Sequence, residues 1–210
     1  MFGELVISFY EDRILPLLTN LAMRNRTLVP YRQRVLSVAE GRVLEIGIGS
    51  GLNLPFYGPD AREVIGLDPS PRLIAMAERA AQNSTLPVRF INGSAEAIPL
   101  DDGSVDTVLT TWTLCSIAGA VPALAEVRRV LKPGGQMLFV EHGLAPDPGV
   151  RRWQDRLTPA WKRIGGGCHL NRPIRSMIEA GAFDITGIET GYAKGPRPMT
   201  FMYEGRARPG

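Results

Sequence analysis

Residues 43–51 read Val-Leu-Glu-Ile-Gly-Ile-Gly-Ser-Gly, an apolar run that stops at three alternating glycines. Such a run forms a short strand, and glycines at its end let the backbone turn tightly and approach a ligand closely. A helix starting after the turn offers unpaired N–H groups. The spacing narrows the choice of ligand. A dinucleotide cradle needs Gly-x-Gly-x-x-Gly; here the third glycine is Gly51, and the position that pattern requires holds Leu52. No Gly-Lys-Ser/Thr follows, which excludes a P-loop. An acid, Glu45, stands at the strand end instead.

The rest of the body alternates strands with helices. Apolar runs predict strands over 42–46, 63–67, 88–91, 105–110 and 136–141. Helical periodicity marks 71–82, with Ser70 as N-cap and Pro71 at the first helical position, and 121–131. Lys132-Pro133-Gly134-Gly135 is expected to stop that second helix and turn the chain. This rhythm implies right-handed crossovers and an α/β fold, with a mostly parallel sheet covered by helices on both faces. After residue 141 it breaks. A Pro-, Gly-, Arg- and Trp-rich segment, 142–171, carries a short helical stretch near 151–157. A helix over 171–180 and a closing strand pair, 183–190 and 200–206, bring the sheet to seven strands. The irregular segment follows the fifth strand, on the side where loops build the site of an open α/β sheet. Ahead of the body, residues 4–24 read as an amphipathic helix through Leu5, Phe9, Ile14, Leu17, Leu18 and Leu21, kinked or split at Pro16.

Composition bounds the partners. The chain has 210 residues, 44% hydrophobic and 21% charged, so it can bury a core without a staple. Glu4, Glu11, Asp12 and Arg13 interrupt the N-terminal apolar stretch, and no uncharged run is long enough to span a bilayer. Neither a secretory signal nor a disulfide scaffold is expected from Cys115 and Cys168 alone, and the expected compartment is the cytoplasm. The net charge of +3 is uneven: residues 35–150 carry eight bases against thirteen acids, and residues 151–175 seven bases against one acid. An acidic body with one basic segment argues against nucleic acid as partner and leaves room for an anionic substrate or a peripheral membrane surface.

Three further motifs follow the glycine loop. Gly66-Leu67-Asp68-Pro69-Ser70 closes the second strand on a carboxylate able to accept from a ribose diol. Asn92-Gly93-Ser94-Ala95-Glu96 follows the third, and Glu126-Val127-Arg128-Arg129-Val130-Leu131-Lys132-Pro133-Gly134-Gly135 spans the second body helix and its end. In this order and spacing the four motifs, over roughly residues 40–142, resemble the class I S-adenosylmethionine-dependent methyltransferases with a Rossmann-like fold. The subgroup is the one acting on small molecules, quinones and lipids. A narrower likeness runs on through Leu114-Cys115-Ser116, Glu141-His142, Trp153-Gln154, Pro159-Ala160-Trp161 and Gly167-Cys168. These look like the methyltransferase-like proteins of lipid-droplet and endoplasmic-reticulum membranes, which methylate small alkyl thiols.

The resemblance implies roles. S-adenosylmethionine would be the cofactor and S-adenosylhomocysteine the product. Residues 1–34 would form a helical arm or lid, and residues 35–210 the methyltransferase domain, with a substrate-side insertion near 142–171. Gly47, Gly49 and Gly51 would face the methionine moiety, with Glu45 holding the loop or bonding the amino group through water. Asp68 would take the ribose hydroxyls and Pro69 would flank the adenine. Ala95 would offer its N–H to the ring. Ser94 stands where the family commonly has an acid, so either its hydroxyl or Glu96 would accept from the adenine amino group. Thr111 and Trp112 would lie near the methyl group.

On the acceptor side the candidates are Trp112, Cys115, Trp153, Trp161 and His169. His142 is either a general base for a thiol or hydroxyl, or a loop hydrogen-bonding residue. Cys115 also reads as a small core residue, and the two tryptophans of 151–175 as packing. Cys168-His169 offers two ligands, too few for a metal site. The expected activity is methyl transfer to a small molecule, a thiol in the narrower likeness. The alternatives are a lipidic acceptor, either a quinone precursor or a phospholipid amine, and a non-catalytic cofactor-binding module.

Overall fold

The computed structural model describes residues 9–210. Leu5, and with it the start of the expected arm helix, lies outside them. A π-helical turn, Tyr10–Ile14, leads into helix α1, Leu15–Met23. Pro16 stands in the first turn of α1. The helical run is continuous across the junction, where Leu15 N–H bonds to Tyr10 O, so Pro16 marks the change from π to α turns and not a split. Helix α2, Val29–Leu36, then leads into the sheet.

Strand β1, Gly41–Ile46, is followed by β2, Ala61–Asp68, helix α3, Pro71–Ala81, β3, Val88–Asn92, and β4, Val105–Thr111. Helix α4, Ala120–Val130, precedes β5, Leu131–His142. Helix α5, Pro148–Ile164, helix α6, Ile174–Ala180, strand β6, Phe183–Tyr192, a short helix α7, Arg197–Thr200, and β7, Phe201–Pro209, complete the described chain. The sheet has seven strands in the order β3-β2-β1-β4-β5-β7-β6. The first five are parallel, and β7 runs antiparallel to both β5 and β6.

Side chains of the central strands alternate between two apolar layers, as a sheet covered on both faces requires. Leu44, Val108, Met137 and Phe139 pack with Leu124 and Val127 of α4 and Ile174 and Ile178 of α6. Val43, Leu109, Leu138 and Val140 pack in the opposite layer with Val35 and Leu36 of α2. The order of β3-β2-β1 against β4-β5 reverses the winding at β1 and β4, and their C-terminal ends open the crevice where open α/β sheets bind ligands.

Two local readings need correction. Lys132-Pro133-Gly134-Gly135 does not turn the chain ahead of β5. Leu131 already pairs with Val105, and Gln136 with Thr107, so the segment between them bulges within one continuous strand. Lys132 Nζ there meets Asp106 Oδ1 at 2.7 Å. The helix near 151–157 is longer, running over Pro148–Ile164 and through Pro159. Its anchor is polar, which is why apolar periodicity missed it. Buried Gln154 accepts from Ala145 N and donates to the carbonyls of Gly143 and Leu170.

Candidate active site

The glycine loop crosses from β1 towards α3 with positive φ at Gly47, Gly49 and Gly51. A Cβ at Gly47 would run into the Thr113 hydroxyl, whereas one at Gly49 would meet nothing closer than 3.9 Å. The loop is held by Asp68 at the end of β2. Its Oδ2 accepts from Gly49 N at 3.0 Å and its Oδ1 from Ser70 N at 2.8 Å. Burial raises the Asp68 pKa, against the lowering effect of those two N–H groups.

A cavity of about 440 Å³ opens over this loop. Gly47, Gly49, Asp68, Pro69, Ser94, Ala95, Glu96, Thr111 and Trp112, all expected there, line it. Two expected cofactor residues do not. Gly51 turns its Cα hydrogens towards Ala77 of α3, 3.1 Å from where a Cβ would be, so it serves loop–helix packing. Glu45 is fully buried beneath the loop, where Asn53 Nδ2 donates to it at 2.6 Å and the Tyr57 hydroxyl at 2.7 Å. Ser94 Oγ accepts from Glu96 N at 3.2 Å, and Glu96 Oε1 accepts from Gly119 N at 2.6 Å.

The Glu45 network extends to residues the motifs did not single out. Asn53 Oδ1 accepts from Arg32 Nε at 2.8 Å, and the Arg32 guanidinium lies 4.8 Å from the centre of the Trp112 ring. Arg32 Nη2 donates to Met23 O at 3.1 Å, tying α1 to the same network. Trp112 has φ 52°, a strained value for a bulky residue and one that fixes where its ring projects. Burial raises Glu45 from the ordinary 4.5 to about 7. The folded chain therefore keeps a proton that the unfolded chain gives up across that interval. Glu45 stabilises the fold fully below pH 4.5, and that contribution is lost as pH rises through about 7. Urea titrations across the interval should show Glu45→Gln gaining on the parent as pH rises, by about 3 kcal/mol at the upper end. A constant difference would contradict it.

A second cavity of about 580 Å³, with mostly apolar walls, adjoins the first. Leu15, Thr19 and Met23 of α1, together with Trp112 and Ser116, line both. Of the expected acceptor residues, Trp112, Cys115 and Trp161 line the second cavity, as does His142, the candidate base. Trp153 and His169 line neither. Trp153 is 55% exposed on the outer face of α5, since Gln154 is the side chain that helix buries. His169 instead places Nδ1 against the Cys115 carbonyl at 3.3 Å. Its neighbour Cys168 turns the other way into the cavity, with Sγ 3.2 Å from His142 Nε2 and 3.3 Å from Trp161 Nε1.

Glu141, quoted only within the narrower likeness, was given no role there, though an acid ending an apolar strand is the same signal that marked Glu45. It is fully buried at the end of β5 and accepts from the backbone N–H groups of Thr113, Leu114 and Cys115 at 3.0, 3.1 and 3.4 Å. These bonds hold the loop after β4, whose Trp112 lines both cavities and whose Cys115 lines the second. Burial pushes Glu141 up to about 7.

Comparison with known proteins agrees with this geometry. The model of a methyltransferase domain matches residues 44–139. The chain is 38% identical over 173 residues to thiol S-methyltransferase TMT1B of Homo sapiens, covering 80% of this chain and 69% of that protein. It is 34% identical over 145 residues to a demethylmenaquinone methyltransferase of Thermus thermophilus, covering 67% of this chain and 64% of that one. The crystal structure of an S-adenosylmethionine-dependent methyltransferase from Methanosarcina mazei superposes with a TM-score of 0.66 at 22% identity, over 81% of this chain and 92% of that one. The chain spans 63–69% of the length of curated relatives such as these. The cofactor of the family fits the first cavity: a cradle kept open at Gly49, where a Cβ would find space, and a buried carboxylate at its edge. The chain belongs to the class I S-adenosylmethionine-dependent methyltransferases.

Proposed function

We propose that this chain methylates the sulfur of a small apolar thiol. The observation that carries the reading is the second cavity, whose apolar walls adjoin the cofactor cavity and include Trp112, Cys115, His142, Trp161 and Cys168. Similarity to thiol S-methyltransferases supports it. When bound, the cofactor supplies a methyl group already activated on a sulfonium sulfur. The chain's task is to align the acceptor and exclude water. Gly47 and Gly49 hold the methionine end, and Asp68 accepts from the ribose hydroxyls. Pro69 flanks the adenine and Ala95 offers its N–H to the ring, with Ser94 or Glu96 accepting from the adenine amino group. Thr111 and Trp112 border the passage through which the acceptor sulfur approaches. Apolar walls favour an alkyl or aryl body over a charged one, by about 25 cal/mol for each Å² of apolar surface removed from water.

A specific observation favours a second reading, a lipidic acceptor taken from a membrane surface. Leu17, Leu21 and Ile164 are exposed, Leu21 to 70%. Arg13, Lys162 and Arg163 lie on the same two helical segments, which are joined where the Tyr10 hydroxyl donates to Ile164 O at 2.7 Å. Among the described residues no helix is long and apolar enough to cross a membrane, so contact there would be peripheral. S-adenosylhomocysteine formation should be measured against small alkyl and aryl thiols, a demethylated quinol and a phospholipid amine. Turnover of thiols with none of the others is expected. Turnover of the quinol or amine alone, with co-sedimentation on anionic vesicles, would replace the thiol reading by the lipidic one.

A further inference from the structure

Both cysteines of the chain, distant in sequence, come together with one of its two histidines. Cys115 comes from the loop after β4, His142 from the end of β5 and Cys168 from the loop after α5. Their Sγ, Nε2 and Sγ atoms lie within 4.8 Å of one another, and all three residues line the acceptor cavity. We propose that they form a zinc site whose fourth position opens into that cavity. The proposal rests on the thiol reading above, which gives the open position its occupant.

The donor set carries the choice of ion. Two thiols and an imidazole suit a borderline-soft cation, and three protein ligands with one open position are the pattern of a catalytic rather than a structural zinc. A tetrahedral zinc ion holds its sulfur and nitrogen ligands roughly 3.5–3.8 Å apart. The 3.2 Å between Cys168 Sγ and His142 Nε2 and the 4.8 Å limit on the set bracket that spacing. Two thiolates and one neutral imidazole balance the charge of the ion, so the apolar cavity takes up no net charge. The surroundings support the sulfurs: Trp161 Nε1 donates to Cys168 Sγ, and Glu141 fixes the Cys115 backbone.

With the ion in place, His142 is a ligand and not the base. An acceptor thiol entering the open position breaks its S–H bond, keeps the electron pair on sulfur to bind the metal, and releases the proton to water. A thiolate is the softer ligand and forms at lower pH than an alkoxide, so a thiol outcompetes an alcohol of the same shape for the open position.

The test loads the full chain, purified under reductant, with zinc and then with cobalt(II). One metal per chain is expected, with thiolate-to-cobalt charge transfer and tetrahedral d–d bands. Ethanethiol should shift those bands at concentrations where ethanol leaves them unchanged. Cys115→Ser, Cys168→Ser and His142→Gln should each lower metal affinity by more than the roughly 10–100-fold that loss of a supporting partner costs. S-adenosylhomocysteine binding by the same variants reports that they are folded. No metal above that held by a Cys115→Ser/Cys168→Ser double variant would overturn the site, as would both thiols lost to a disulfide in metal-loaded protein. Metal-free enzyme that methylates thiols at the full rate would overturn the metal's role and leave the thiol reading standing. Metal binding and thiol-shifted bands without thiol turnover would do the reverse.

Discussion

Asp68→Ala should weaken S-adenosylhomocysteine binding by at least about a hundredfold in isothermal titration. The carboxylate is buried at the cavity edge, and its oxygens already fix Gly49 and Ser70 through their N–H groups. In the proposed assignment a ribose diol would add two charge-assisted bonds, each contributing about 1.5–3 kcal/mol. Removing the group therefore takes away the ribose acceptor and the anchor of the glycine loop together. Asp68→Asn keeps one acceptor oxygen and should fall between the two. Binding of the parent should also weaken on acidification at a higher pH than an ordinary aspartate would give, because burial raises the Asp68 pKa. Unchanged affinity in Asp68→Ala would contradict the ribose assignment.

Glu141→Ala should be the most destabilising single change around the site, by about 3 kcal/mol or more in urea unfolding. It strands the three N–H groups of Thr113, Leu114 and Cys115 next to the cavities, and an unpaired buried donor costs about 1–3 kcal/mol. Relief of the buried charge offsets part of that sum. Glu141→Gln separates the contributions. Its remaining oxygen can serve Thr113 and Leu114, which share Oε1, while its amide faces the longer bond from Cys115. The glutamine variant should recover most of the stability yet move Cys115 and Trp112. A glutamine variant as unstable as the alanine one would mean that charge, not the hydrogen-bond count, holds the loop.

What the sequence made legible was local. The glycine loop, Asp68 and the 93–96 turn are contiguous stretches at strand ends, and their order along the chain is their order around the first cavity. Backbone turns and strand ends set these groups, so motif spacing carries their geometry. The acceptor side has no such logic. Cys115, His142 and Cys168 meet only because β4, β5 and the loop after α5 converge at one edge of the sheet. Helix α5 misled for a different reason: it docks through Gln154, so reading apolar residues as the inward face selected exposed Trp153. At the 168–169 step, adjacent residues point opposite ways, and the one expected at the acceptor was the wrong one of the pair. Glu45 was found as a residue but not at its depth, which only the partners Asn53 and Tyr57 reveal.

Helix α1 contributes Leu15, Thr19 and Met23 to both cavities, and Arg32 ties its end to the network under Trp112. One wall thus serves two occupants. Any tightening of that wall by one ligand is a cost that the second does not bear again. Cofactor and acceptor are then linked as a thermodynamic pair: each raises the affinity of the other, and by the same factor. A segment that reads in sequence as an appendage becomes the term that couples the two halves of the reaction.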